Sequence, residues 1–96
     1  MLVLNISEAY LLLGAHDEGI ALIDEYMPAI ERDGAQEQLA IAHILVSRHH
    51  EELGRLNEAR RHMAAALDIY RSLGKTKHAG KVIRAMERLE EAGSER

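Results

Sequence analysis

The sequence predicts an all-α domain in which helical hairpins stack side by side. Three observations lead there. Sliding the chain against itself by forty residues brings Ser7 onto Ser47, Leu13-Gly14 onto Leu53-Gly54, Glu18 onto Glu58 and Gly34 onto Gly74. Between the glycines, apolar residues recur at helical spacing. With 96 residues, seven Gly, one Pro and three aromatics, there is room for one small core that buries roughly two-thirds of the unfolded surface. A recurring unit of this size, with a helical period inside it, signals stacked helix pairs rather than a conventional bundle.

Five helices are expected, at about 2–13, 17–32, 35–53, 57–73 and 76–92. They form a first repeat over about 2–33, a second over about 35–73 and a terminal capping helix, all within a single domain, 1–96. The glycines at 14, 34, 54 and 74 supply the backbone freedom that ends each helix in a tight connection. In the first helix Leu2, Val3, Leu4, Ile6, Ala9, Tyr10, Leu11, Leu12 and Leu13 cover almost every face. An end helix of that kind exposes a contiguous apolar patch, the usual mark of an interaction surface. The N-terminal edge is therefore expected to be covered, by a preceding repeat of a longer parent or by a second copy in a homodimer.

In the second helix, Asp17 is positioned to cap the orphan amides and Glu18 to favour the first turn. Pro28 removes the amide that would bond the Asp24 carbonyl. A bend is expected there, with a break near Met27 as the alternative. The third helix carries Leu39, Ala40, Ile41, Ala42, Ile44, Leu45 and Val46 nearly unbroken, which suits an inner helix with neighbours on several sides. Asn57 and Glu58 repeat the cap signals in the fourth. Its single stripe of Ala59, Met63, Ala66, Leu67, Tyr70 and Leu73 makes it an outer helix. Thr76 is the expected cap of the last helix, whose stripe is Ala79, Val82, Ile83, Met86 and Leu89.

Composition narrows the function classes. The absence of cysteine excludes disulfide scaffolds and thiolate zinc sites. Met1 to Leu13 lacks the basic start of a signal peptide. No window approaches the run of about 18 apolar residues that a membrane span needs, so a soluble, cytoplasmic protein is expected. The net charge of −4 is unevenly spread: residues 1–54 carry −8 and residues 55–96 carry +4. The plain reading is a solvated surface; the alternative is alignment of a second copy, acidic half to basic half. Duplex nucleic acid is disfavoured, because the acidic half would repel it and stacking aromatics are few.

These residues resemble the tetratricopeptide repeat in a forty-residue spacing. The resemblance covers about 2–73, with the last helix as a partial third unit. Leu53-Gly54-Arg55-Leu56-Asn57-Glu58-Ala59, then Met63, Ala66 and Leu67, is similar to the family's turn and outer helix. Tyr10, Gly14, Gly19 and Ile23 match the first unit, and Ser7 and Ser47 replace the family's inner-helix glycine. Val3 and His43 replace its tryptophan, His50 its second tyrosine, and Glu31 and Arg71 its closing proline. The resemblance implies a right-handed α-solenoid of about two and a half hairpins that binds a protein or peptide along its inner helices. By that analogy Leu4, Glu8, Leu11, Ile41, Ile44, Arg48, Lys81, Arg84 and Arg88 line the groove. The family's clamp for C-terminal carboxylates looks absent, since Leu4, Glu8 and Leu45 stand where Lys or Asn is expected. A regulatory module of a larger bacterial transcriptional or signalling protein is the alternative the resemblance implies.

Chemistry is harder to find. Six histidines invite a metal site around His43, His49, His50, Glu51 and Glu52, but no two share the i,i+4 spacing that puts both imidazoles on one metal. His43 and His50 share a face expected to pack on the fourth helix. Glu58 and His62, four apart, are expected to pair. No nucleophile has a recognisable base and no glycine-rich turn follows a strand, so neither catalysis nor a cofactor or metal is expected. Arg71, Lys75, Lys77, His78, Lys81, Arg84 and Arg88 gather positive charge at the last helix, suited to an acidic peptide, a phosphate or the acidic half of a second copy.

Overall fold

The computed structural model describes residues 2–94; Met1 and residues 95–96, the ends of the expected domain, lie outside the described residues. The described residues form α1 (Leu2–Leu13), α2 (His16–Arg32), α3 (Gln36–Glu52), α4 (Leu56–Ser72) and α5 (Thr76–Ser94), with no strand among them. The expected helices are all present.

α1 and α5 start where expected, whereas α2, α3 and α4 start one residue away, and the reason lies in the turns. Gly14 adopts φ 75°, a region closed to most side chains. That lets its N–H bond the Leu11 carbonyl (3.2 Å) while the Ala15 N–H reaches the Tyr10 carbonyl (2.9 Å), a double closure of the Schellman type. The Ala15 carbonyl then accepts from the Gly19 N–H at 3.1 Å, so one residue both closes α1 and opens α2. Asp17 is left inside α2, where it contributes charge to the positive helix end but caps nothing. Turns at Gly34, Gly54 and Gly74 repeat these bonds. Asn57 therefore lies inside α4 behind the capping position of Arg55. Thr76 is the first residue of α5, which opens on the Lys75 carbonyl. None of the three expected side-chain caps forms. Pro28 sits within an unbroken α2, so the break near Met27 does not occur.

Every substantial packing contact joins helices adjacent in the chain, with the addition of α1 on α3. The inner role expected of α3 follows, since α1, α2 and α4 all lie against it. The core divides along it. Leu4, Ile23, Ile30, Leu39, Ala42, Leu45 and Val46 fill one side; Ala40, Ala59, Met63, Ala66, Leu67, Tyr70, Ala79, Val82 and Leu89 fill the other. Ile69 borders both. Complete burial of a side chain such as Ile23 or Leu89 contributes about 1.5–3 kcal/mol. The backbone spans 40 × 32 × 17 Å, a slab about two helix layers thick.

Two apolar expectations are revised, and one holds. Leu73 of the α4 stripe and Ile83 of the α5 stripe are exposed. In α1 only Leu4 and Ser7 are buried, while Leu2, Leu12 and Leu13 are 73%, 83% and 78% exposed. No helix of the described residues is long and apolar enough to cross a membrane.

The uneven charge has an internal use as well. Arg55 reaches Asp17 (3.7 Å) and Lys75 reaches Glu37 (2.6 Å). Both cations are turn residues, and both carboxylates are second in a helix two elements back. Lys75 holds the Glu37 carboxyl below its usual range, mainly through their hydrogen bond. All four side chains are substantially exposed, so the pairs set register more than stability.

Candidate functional site

Helices α1, α3 and α5, with α4 at the middle, carry a row of clefts. Between α1 and α3, Leu4, Asn5, Glu8, Ile41, Ile44, Leu45 and Arg48 line about 380 Å³. Between α3, α4 and α5, Ile44, Met63, Tyr70, His78, Lys81, Val82 and Ala85 line about 210 Å³. Along α5, Lys81, Arg84, Glu87, Arg88 and Glu91 line about 520 Å³. Ile44 is shared by the first two and Lys81 by the last two, so the row is continuous.

The structure thus brings Leu4, Glu8, Ile41, Ile44 and Arg48 together, and joins Lys81, Arg84 and Arg88 to them through the middle cleft. Leu11 is separate. It lines another cleft with Leu12, Gly14, His16, Arg48, Glu51 and Glu52. Leu4 needs correction as a contact residue: at 6% exposed it is core, and forms the floor of its cleft. Ile41, 41% exposed, offers more surface, because α3 turns it away from both halves of the core. Sequence reasoning missed Met63, Tyr70, Val82 and Ala85, which it placed only in the core or not at all. The signal was present in their adjacency to Lys81 along α5 and the α4 stripe.

The basic cluster at α5 is dispersed. Lys75 is committed to Glu37. His78 lies against the Tyr70 ring, centroids 5.0 Å apart. Lys81, Arg84 and Arg88 share their cleft with two carboxylates.

The histidines form two inter-helix joints. His43 and His62 bring their Nδ1 atoms to 3.0 Å, and His50 stacks on His62 at 5.7 Å between centroids. The expected packing of His43 and His50 on α4 is therefore found. Glu58 instead pairs with Arg61, while His62 turns inward to His43, so the expected Glu58–His62 pair does not form. At the second joint His49 is fully buried. Its Nε2–H donates to the Ser7 carbonyl (3.2 Å), leaving Nδ1 to accept from His16 Nδ1–H at 3.0 Å. The Ser7 hydroxyl lies 3.2 Å from Nε2 and donates to the Gly19 carbonyl at 3.4 Å. Burial lowers the pKa of His43, His49, His50 and His62; for His62, His43 and His50 lower it further. All four are neutral at neutral pH. Among the described residues no group of three or more His, Cys, Asp or Glu is arranged to hold a metal.

Comparison with protein-family models, curated proteins and solved structures finds no match. The functional reading rests on the residues and their arrangement.

Forty residues after Ser7, Ser47 is equally buried, but its hydroxyl has no partner. An unsatisfied buried hydroxyl costs about 1–3 kcal/mol, whereas a satisfied one is missed when removed. Ser47→Ala is therefore expected to hold or raise the melting temperature and Ser7→Ala to lower it by about 4–8 °C. Paired thermal melts check this.

Proposed function

We propose that the chain is a non-enzymatic adaptor of the tetratricopeptide-repeat kind, a right-handed solenoid of about two and a half hairpins that holds another polypeptide along α1, α3 and α5. The continuous row of clefts sharing Ile44 and Lys81 carries this reading. It offers apolar floors and flanking charges, which is the composition of a docking surface. Support for the solenoid comes from four turns that repeat the same bonds and from packing confined to near neighbours along the chain. A photo-crosslinking residue placed at Ile41 or Arg84, with Asp68 on α4 as control, tests it in cells. Adducts are expected at the first two positions. Equal or stronger adducts at Asp68 would remove the inner face from consideration.

A second copy at the N-terminal edge is favoured by one observation. Leu2, Ile6, Ala9 and Leu13 are all exposed and follow one another by four, three and four residues, the spacing of a helix seam. Sedimentation at high micromolar concentration is expected to show a dimer that Leu2→Lys with Leu13→Lys dissolves. A monomer throughout ends the self-association reading.

A further inference from the structure

The middle cleft differs from its neighbours in chemistry. Its floor is Met63, Tyr70 and Val82, all buried, and its walls are Ile44 and Ala85. Only His78 and Lys81 bring charge or polarity to the mouth, and no carboxylate lines it. Lys81 joins no ion pair among the described residues. About 210 Å³ is smaller than the roughly 300–1,000 Å³ of a small-molecule site, and suits a single side chain. Beyond Lys81, Arg84 and Arg88 continue on the same side of α5, where three cations face two carboxylates.

We infer that the cleft between α3, α4 and α5 is an anchor for an acidic polypeptide segment, receiving one bulky apolar side chain while Lys81 binds a carboxylate beside it. The apolar walls supply burial, and the uncompensated ammonium at the rim selects the neighbouring charge. The flanking clefts give the segment its course. Packed helix axes lie about 8–10 Å apart, and α3 packs on α1 but reaches α5 mainly through α4, so a course from α1 across α3 to α5 is roughly 20 Å or more. An extended segment of about six residues covers that distance. Its central side chain enters the anchor, one end passes Ile41 and Arg48, and the other meets Arg84 and Arg88. This inference rests on the inner face being the docking surface and adds the chemistry of what docks.

A displayed library of random hexapeptides is the probe. Selection on the intact chain is expected to enrich segments with Leu, Ile, Met or Phe next to Asp or Glu. Ala85→Phe fills the anchor and is expected to weaken the selected peptides at least tenfold. Lys81→Glu, an exposed substitution that spares the core, is expected to weaken them about tenfold and to flatten their salt dependence. No enrichment, enrichment without the apolar–acidic pair, or peptides indifferent to both variants would overturn the anchor. If crosslinks at Ile41 and Arg84 persist in that case, only the anchor fails; if they vanish too, the docking reading goes with it.

Discussion

The melting temperature is expected to fall by about 10 °C as pH drops from about 7.5 to 5, well before the carboxylates are neutralised. His43, His49, His50 and His62 have folded-state pKa values lowered from 6.5 by burial. Unfolding restores the ordinary value, so below about 6.5 the unfolded chain binds more protons than the folded one. Stability is complete above that pH and is lost as pH falls toward the depressed values. Geometry sharpens the effect, because protonating both members of the His43–His62 pair would set two cations against each other across a 3.0 Å contact. Glu31 near His43, and Asp24 and Glu58 near His50 and His62, oppose it; Arg48 near His49, and Arg55 and Arg61 near His50, reinforce it. His43→Leu with His62→Leu is expected to flatten the profile. A wild-type melting temperature constant from pH 7.5 to 5.5 would show that the joints carry no such linkage.

Gly19→Ala is expected to be the most damaging single methyl in the protein, at about 3 kcal/mol or more. A Cβ at Gly19 would overlap the His49 ring, with both Nε2 and Cε1 inside contact distance. Neither side can yield cheaply: His49 is sealed in and bonded at both nitrogens. Forty residues on, the same positions hold Ala59 and Leu89, both buried. Carrying that solution back, as Gly19→Ala with His49→Leu, should give a double variant more stable than the Gly19→Ala single. Chemical denaturation of the three variants measures the coupling. Additive losses would mean that the ring and the methyl do not compete for one space.

What the sequence revealed, and what it hid, divides along range. The glycine turns and the many-sided packing of α3 are local patterns found where expected, and the α4 stripe is buried from Ala59 to Tyr70 but not at Leu73. The expected caps at Asp17, Asn57 and Thr76 failed because a glycine closure two or three residues earlier had already fixed where the next helix begins. Of the groove residues, Leu4 sits one layer deeper than expected, since α1 leans on both α2 and α3. The His16–His49 contact joins residues 33 apart and leaves no periodic trace. Its only hint is that Ser7, Gly19 and His49 occupy the positions of Ser47, Ala59 and Leu89 in the next unit. The packing of His43 and His50 on α4 is legible in their shared face, but His62 as their partner is not.

The identical turns make the chain intolerant of being shortened or lengthened by small steps. Gly14, Gly34, Gly54 and Gly74 stand at equal intervals, and α2, α3 and α4 are each 17 residues long. Losing one residue inside any of these would swing everything downstream by about 100° around the helix axis, exchanging buried faces for wet ones. Duplicating or removing a whole hairpin preserves the phase. A lineage built on this plan is therefore free to alter its reach only in coarse increments, and must tune its selectivity by substitution.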